Sequence, residues 1–331
     1  MLGERFEAEI REQPDVWRRI ADSSKADQLA RAIGSRHVCF VGSGSSLFAG
    51  QLGALALRRR GIWASALAAT EARFDREAYR EACVVALSQS GRSGDVLAAL
   101  DLLQPHTTIA LTNAPGSPLA ARADLAIDIE AGPERAVPAT KSVSATVAIL
   151  LWAAALIAGH RNRTAATLRE IAGDVEGWLS GDGFRDAAAA ALRLAYRRAV
   201  AIVGAGYSVP VAFELALKMK EASYVHAEGF AAGEFRHGSS AMLDSSCALI
   251  GILDESSREI VARPMHEAER AGALRYVIGE SLGEIPRLGP CAGEAFNTLG
   301  WLVTGQSLAL FAGRAAHVDG DAPRGLSKFL A

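Results

Sequence analysis

No paired cysteines, no basic tract and no nucleotide-triphosphate loop interrupt this sequence of 331 residues. Cys39, Cys83, Cys247 and Cys291 lie far apart, with neither a CxxC pair nor a metal-ligand spacing, so no metal is expected. Cys39, Cys83 and Cys247 fall in apolar runs that read as buried strands, where they serve as small hydrophobes in a reducing cytosol. The formal charge of −2 leaves no electrostatic footprint for nucleic acid or anionic lipid. An export signal is also missing. Met1-Leu-Gly-Glu-Arg-Phe-Glu places acids where a leader needs a basic region and an apolar stretch, so a cytoplasmic protein is expected.

Long apolar runs are scarce, with one exception. Val143–Gly159 is almost wholly apolar and is flanked by Lys141 and Arg161, the outline of a short membrane helix. It sits at the lower edge of the ~17–25 residues that span a bilayer. It also carries Ser144 and Thr146 and has no hydrophobic partner segment. The spacing therefore predicts a helix buried in or near a subunit contact or an interdomain core, and no membrane.

What is present is an α/β pattern. Half the residues are hydrophobic, enough for two domain cores and too many for disorder. Residues 1–35 read as helical, with Pro14 and Asp15 opening a second helix. Apolar runs at His37–Val41, Cys83–Leu87, Thr107–Leu111 and Asp124–Ile129 alternate with helical stretches such as Leu47–Arg59 and Val96–Leu103. That alternation argues for a parallel sheet covered on both faces.

The second half starts as the first does. Val38-Cys-Phe-Val-Gly-Ser-Gly-Ser-Ser46 parallels Val200-Ala-Ile-Val-Gly-Ala-Gly-Tyr-Ser208, aligning Gly42 with Gly204 and Gly44 with Gly206. Each copy then enters a helix, which marks a duplicated domain. The expected organisation is a helical segment over 1–35, a first domain over 36–180 and a second over 195–331.

Gly42-Ser-Gly44 invites a dinucleotide-binding reading, but the third glycine is Leu47 in one copy and Val209 in the other. The acid expected ~20 positions on is missing from Ile62-Trp-Ala-Ser-Ala66, so no cofactor is expected. A different anion fits better. Ser88-Gln-Ser-Gly-Arg-Ser-Gly-Asp95 turns between a strand and a helix, where backbone N–H groups, hydroxyls and one amide suit a phosphate monoester. Ser45 and Ser46 occupy the neighbouring strand-to-helix turn. Serine also caps helices and fills turns. Two such loops in one half nonetheless point to a phosphate held by Ser45, Ser46, Ser88, Gln89, Ser90 and Ser93. The corresponding segment of the second half, Asp254-Glu-Ser-Ser257, carries two acids that would repel it.

Several segments resemble the double-SIS (sugar isomerase) family, in particular the isomerase half of glucosamine-6-phosphate synthases. They are Glu9-Ile-Arg-Glu-Gln-Pro14, Ser88-Gln-Ser-Gly91, Thr112-Asn-Ala-Pro-Gly-Ser-Pro-Leu119, Ala131-Gly-Pro-Glu134, Thr140-Lys141, Leu217–Glu228, Ala232–Gly238 and Asp321–Lys328. The resemblance implies two doubly wound, flavodoxin-like three-layer α/β domains. It also implies a phosphorylated sugar as ligand and a homodimer in which His237 reaches the neighbouring subunit's site. The synthases carry a glutaminase domain that has no counterpart in these residues. Single-chain relatives include glucosamine-6-phosphate deaminases, amino-sugar isomerases and fructosamine-phosphate deglycases. A deaminase is the leading expectation; a deglycase and a non-catalytic sugar-phosphate sensor are the alternatives.

The resemblance assigns roles to named residues. Glu221 becomes the base that moves a proton between C1 and C2, with Lys218 three residues earlier on the same helix face. Spacing alone suits a surface Lys–Glu pair equally well. His237, read as a loop residue, becomes the ring-opening group. Lys328 becomes the amine that forms a Schiff base, which requires desolvation. Val137 and Ala139 line the sugar. Departures from the family are Ala139 for a serine, Arg92 for an acid, and Ser239-Ser240 in place of a proline.

Overall fold

The computed structural model describes residues 1–34, 36–290 and 296–328, with backbone alone at 161–163. Cys291 and the final Phe-Leu-Ala lie outside the described residues. Two compact units share the chain in alternating segments. The first comprises Asp15–Glu134, Lys141–Glu170 and Ser327–Ala331; the second comprises Met1–Pro14, Arg135–Thr140 and Ile171–Leu326.

In the first unit five parallel strands run in the order β2-β1-β3-β4-β5. They are β1 (Val38–Gly42), β2 (Ala64–Ala68), β3 (Cys83–Leu87), β4 (Thr107–Thr112) and β5 (Leu125–Asp128). Strands β1 and β3 are buried at every position, because a parallel sheet is covered on both faces. Cys39, Val41, Val84 and Ala86 pack with Val96, Ala99 and Leu103 of α5 (Gly94–Leu103) on one side. The other side carries α4 (Ser45–Arg58) and α7 (Lys141–Ile157), with α3 (Lys25–Ile33) against α7. Strand β2 at Ala64–Ala68 carries no strand signal in the sequence. Its Ala-Ser-Ala-Leu-Ala composition lacks the β-branched and aromatic residues that signal a strand.

Every residue of α7 from Lys141 to Ala155 is buried. Helices α3 and α4 of the same unit cover it, so no second subunit is needed to explain its composition. Among the described residues no helix is long and apolar enough to cross a membrane.

The second unit repeats the plan. Strands β6 (Ala199–Gly204), β7 (Ala227–Ala231), β8 (Cys247–Leu253), β9 (Leu274–Gly279) and β10 (Arg287–Leu288) are all parallel, in the order β7-β6-β8-β9-β10. Relabelled from its own first strand, this is the order of the first sheet, so the duplication extends to topology. Helix α10 (Ser208–Ser223) stands where α4 does, α12 (Arg258–Arg270) where α5 does, and α13 (Asn297–Ala315) packs on α10. Both copies need a glycine at the end of the first strand. A Cβ on Gly42 would lie 2.9 Å from Ser46, and one on Gly204 2.6 Å from Ser208.

Helix α1 (Glu4–Arg11) is closed by acids from far along the chain. The Asp319 carboxylate accepts from the Gly3 N–H at 3.0 Å, and Asp321 accepts from Arg5 and Phe6 at 3.1 and 2.8 Å. These are orphan donors of a helix start, and carboxylates there also meet the positive end of the helix dipole.

Candidate functional site

A doubly wound sheet opens a crevice at its carboxyl edge where the chain reverses direction between neighbouring strands. In the first unit that switch falls between β1 and β3, and the two serine-bearing loops follow those strands. Ser45 and Ser46 open α4; the turn Ser88–Ser93 leads into α5. Ser88 is buried, while Ser45, Ser46, Gln89, Ser90 and Ser93 are half-buried. No side chain caps either helix, although Ser93 holds the capping position of α5. The start of α5 therefore keeps the donor character that an external anion uses.

The turn itself is tightly determined. Gly91 has φ +61°, and a Cβ there would sit 1.9 Å from the Ser117 hydroxyl, so only glycine fits. The Gly91 and Arg92 N–H groups donate to the Ser88 and Ser90 hydroxyls, each at 3.2 Å. Two of the N–H groups expected to face a phosphate thus have internal acceptors in the ligand-free chain. The Gln89 carbonyl accepts from the Asn113 N–H at 3.0 Å and the Thr112 hydroxyl at 3.3 Å. Ser117 caps α6 (Pro118–Arg122), so Thr112–Leu119 acts as a buttress for the turn.

The proton-transfer candidates lie in the second unit. Lys218 is 1% exposed in the middle of α10 and meets a carboxylate on each side. Glu221, one turn later and 20% exposed, accepts a hydrogen bond from its ammonium. Glu214, one turn earlier and 2% exposed, has a carboxylate oxygen at 3.6 Å. The surface-pair alternative is thereby excluded. Isolated buried charge is costly, and an ammonium between two carboxylates answers much of that cost. Glu214 is not among the residues expected from the sequence; the signal that marks it is the four-residue spacing to Lys218.

His237 is exposed on the turn that follows the short helix α11 (Ala232–Phe235), where an unbroken loop was expected. Val137 and Ala139 are half-buried in a segment fixed by its backbone. Glu9 accepts from the Arg135 and Ala136 N–H groups, and the Asp321 carbonyl accepts from the Val137 N–H at 3.0 Å. Gln306 donates to the Thr140 carbonyl at 3.4 Å and accepts from Gln13 at 2.7 Å.

Lys328 belongs to the first unit, where its ammonium donates to the Glu134 carboxylate at 3.0 Å. Glu134 is a second residue whose role the sequence reading left unassigned. Cys39 and Cys83 are core residues of the sheet. Burial pushes the Cys39 thiol up to about 12 and raises that of Cys83, so both stay protonated. Among the described residues no three His, Cys, Asp or Glu side chains gather as a metal ion would require. A cavity of about 530 Å³ beyond β4 and β5 is lined by Arg19, Asn113, Asp128, Glu130, Gly132 and Pro133. A larger one, about 680 Å³, is bordered in the second unit by Arg193, Arg197, His266 and Arg275 and holds none of the sequence-predicted residues.

The sequence profile of the SIS domain matches residues 33–157 and 193–284. A glutamine–fructose-6-phosphate aminotransferase (isomerizing) of Sulfolobus acidocaldarius is 30% identical over 334 residues, covering 97% of this chain and 55% of that protein. The chain spans about half the length of the curated relatives it matches. Among solved structures, the C-terminal domain of glucosamine-fructose-6-phosphate aminotransferase from Francisella tularensis superposes with a TM-score of 0.85 at 22% identity. That match covers 97% of this chain and 98% of the other. A glucosamine-6-phosphate deaminase from Thermotoga maritima gives 0.83 at 24% identity, over 99% of both chains. At these identities the two structures establish the fold.

Proposed function

The chain belongs to the SIS domain family, and from that premise we propose that it converts glucosamine 6-phosphate and water into fructose 6-phosphate and ammonia. The loops after β1 and β3 hold the 6-phosphate. His237 moves the proton that opens the ring, and its exposure on its own chain suits service at a neighbouring subunit's site, hence a homodimer. Glu221 takes the proton from C2 and returns it to C1, which turns the C2 amine into an imine. The Lys328 amine adds to that imine carbon, ammonia leaves, and water hydrolyses the lysine imine to the ketone. Val137 and Ala139 border the sugar.

The observation that carries this reading is the buried Glu214–Lys218–Glu221 cluster. Burying Lys218 and Glu214 beside the half-buried Glu221 costs several kcal/mol before pairing. A module that only binds sugar phosphate has no use for such a base.

The test is incubation with glucosamine 6-phosphate and assay of both ammonia and fructose 6-phosphate. Stoichiometric release of the two is expected. Tight phosphosugar binding without turnover would move the reading to a sensor, and release of free sugar phosphate from fructosamine phosphates alone would move it to a deglycase.

A further inference from the structure

A lysine at residue 328 has little regular structure to place it. Among the described residues the last helix ends at Ala315, and Leu326 and Ser327 are exposed. Its partner is placed well. The Glu134 side chain is fully buried and accepts from the Ser142 N–H at 3.0 Å, the Ser142 hydroxyl at 2.7 Å and the Lys328 ammonium at 3.0 Å. Ser142 is the second residue of α7, so its N–H is one of the orphan donors of a helix start. A carboxylate at that position is stabilised by the helix whether or not a lysine is present. The acceptor is therefore prepared by α7, and Lys328 docks into it. Glu134 follows β5, which sets it at the same carboxyl edge of the first sheet as the serine loops.

We propose that Glu134 is the positioning residue for Lys328: a buried carboxylate, fixed by the start of α7, that holds the amine at the carboxyl edge of the first sheet and accepts its proton. The inference rests on the function proposed above for the part Lys328 plays in the chemistry. In balanced form, the Lys328 ammonium gives a proton to the Glu134 carboxylate, and the freed amine adds to C2 of the open-chain sugar. On the ketose, loss of water from the adduct leaves the lysine imine. A site whose supporting partner is itself locked gains the most from preorganisation.

Two measurements separate this role from the function it serves. Borohydride trapping with fructose 6-phosphate, read by peptide mass, should label Lys328 in the unaltered protein. Glu134→Gln keeps an acceptor for the Ser142 N–H, offers the Ser142 hydroxyl an amide donor in place of the second oxygen, and removes the charge. It should fold normally, trap at least tenfold more slowly and lose kcat to a similar extent, while KM stays within about twofold of the unaltered value. Trapping at the unaltered rate, or a KM that rises in step with the loss of kcat, would overturn the positioning role. The second measurement needs no activity. Trypsin cuts after Lys328 only when the side chain leaves its dock, so cleavage of the 328–329 bond, read by mass, should be at least tenfold faster in Glu134→Gln. Equal rates sink the inference, whereas no labelling of Lys328 in the unaltered protein, with the cleavage difference intact, sinks only the proposed reaction. If Glu134→Gln does not fold, Ser142→Ala loosens the same carboxylate and should accelerate cleavage a few-fold; no acceleration there also overturns the role.

Discussion

The two units share one strand order and differ at one turn. After β3 the chain enters α5 with no side chain on the helix start. After β8 the equivalent turn is filled from within. Asp254 accepts from the Ser257 N–H at 3.0 Å and from the Ser256 and Ser257 hydroxyls at 2.7 and 2.8 Å, while Ser257 answers the Asp254 N–H. A helix start can receive an outside anion only if the protein has not already supplied one. The helices after the first strand of each sheet diverge the opposite way. At the spacing that aligns Gly42 with Gly204, the counterparts of Glu214, Lys218 and Glu221 are Leu52, Ala56 and Arg59. Leu52 and Ala56 are ordinary core residues of α4. Duplication preserved the sheets, and divergence left an uncapped helix start in one copy and buried charge in the other.

That division can be broken at either end. The largest effect is expected in the second unit: Glu221→Gln should lower kcat by about 10²–10⁴-fold with little change in KM, the signature of a lost proton-transfer group. An unchanged kcat would leave the second unit without its assigned task. In the first unit, Ser88→Ala should weaken fructose 6-phosphate binding by about tenfold, since one charge-assisted hydrogen bond is worth roughly 1.5–3 kcal/mol before losses. Calorimetry would read both the affinity and the stoichiometry, expected at one phosphate per chain; two sites would erase the contrast between the turns. The smallest effect belongs to Asp254→Ala, which removes a cap and should cost about 0.5–2 kcal/mol of stability in a denaturant titration. Turnover should survive it, and a large loss of activity would show that this turn serves the reaction after all.

How much of this could be read beforehand depended on what each residue advertises. Cys83–Leu87 announced a buried strand because its run is apolar and β-branched, and the strand occupies those residues. Ala64–Ala68 announced nothing, because small residues pair in the middle of a fold without a hydrophobic signature. The serine turn was legible through its glycines and its place between strand and helix. Whether its hydroxyls were spent on capping was not, since that depends on side-chain direction. The Lys218–Glu221 spacing fixed a shared face and left its burial open, since burial depends on tertiary packing around α10. Glu134 stood in a conspicuous motif, yet its partner lies 194 residues away, a distance that no local pattern reports.

The closure of α1 by Asp319 and Asp321 sets an order of events during synthesis. The ribosome delivers Gly3 and Arg5 long before the acids that satisfy their N–H groups, which follow 316 residues later. Throughout that interval the first helix has uncapped donors and an apolar face, buried in the finished molecule through Phe6 and Ile10, still seeking its place. Asp321 also fixes the backbone of Val137, so the same late arrival completes the segment assigned to the sugar. Contacts so distant in sequence form slowly because loop closure precedes any gain from them. The first sheet gathers its strands from a run of fewer than a hundred residues and can consolidate early. A nascent chain of this protein is therefore half finished in a specific sense: its first sheet can stand while helix α1 still awaits a distant clasp.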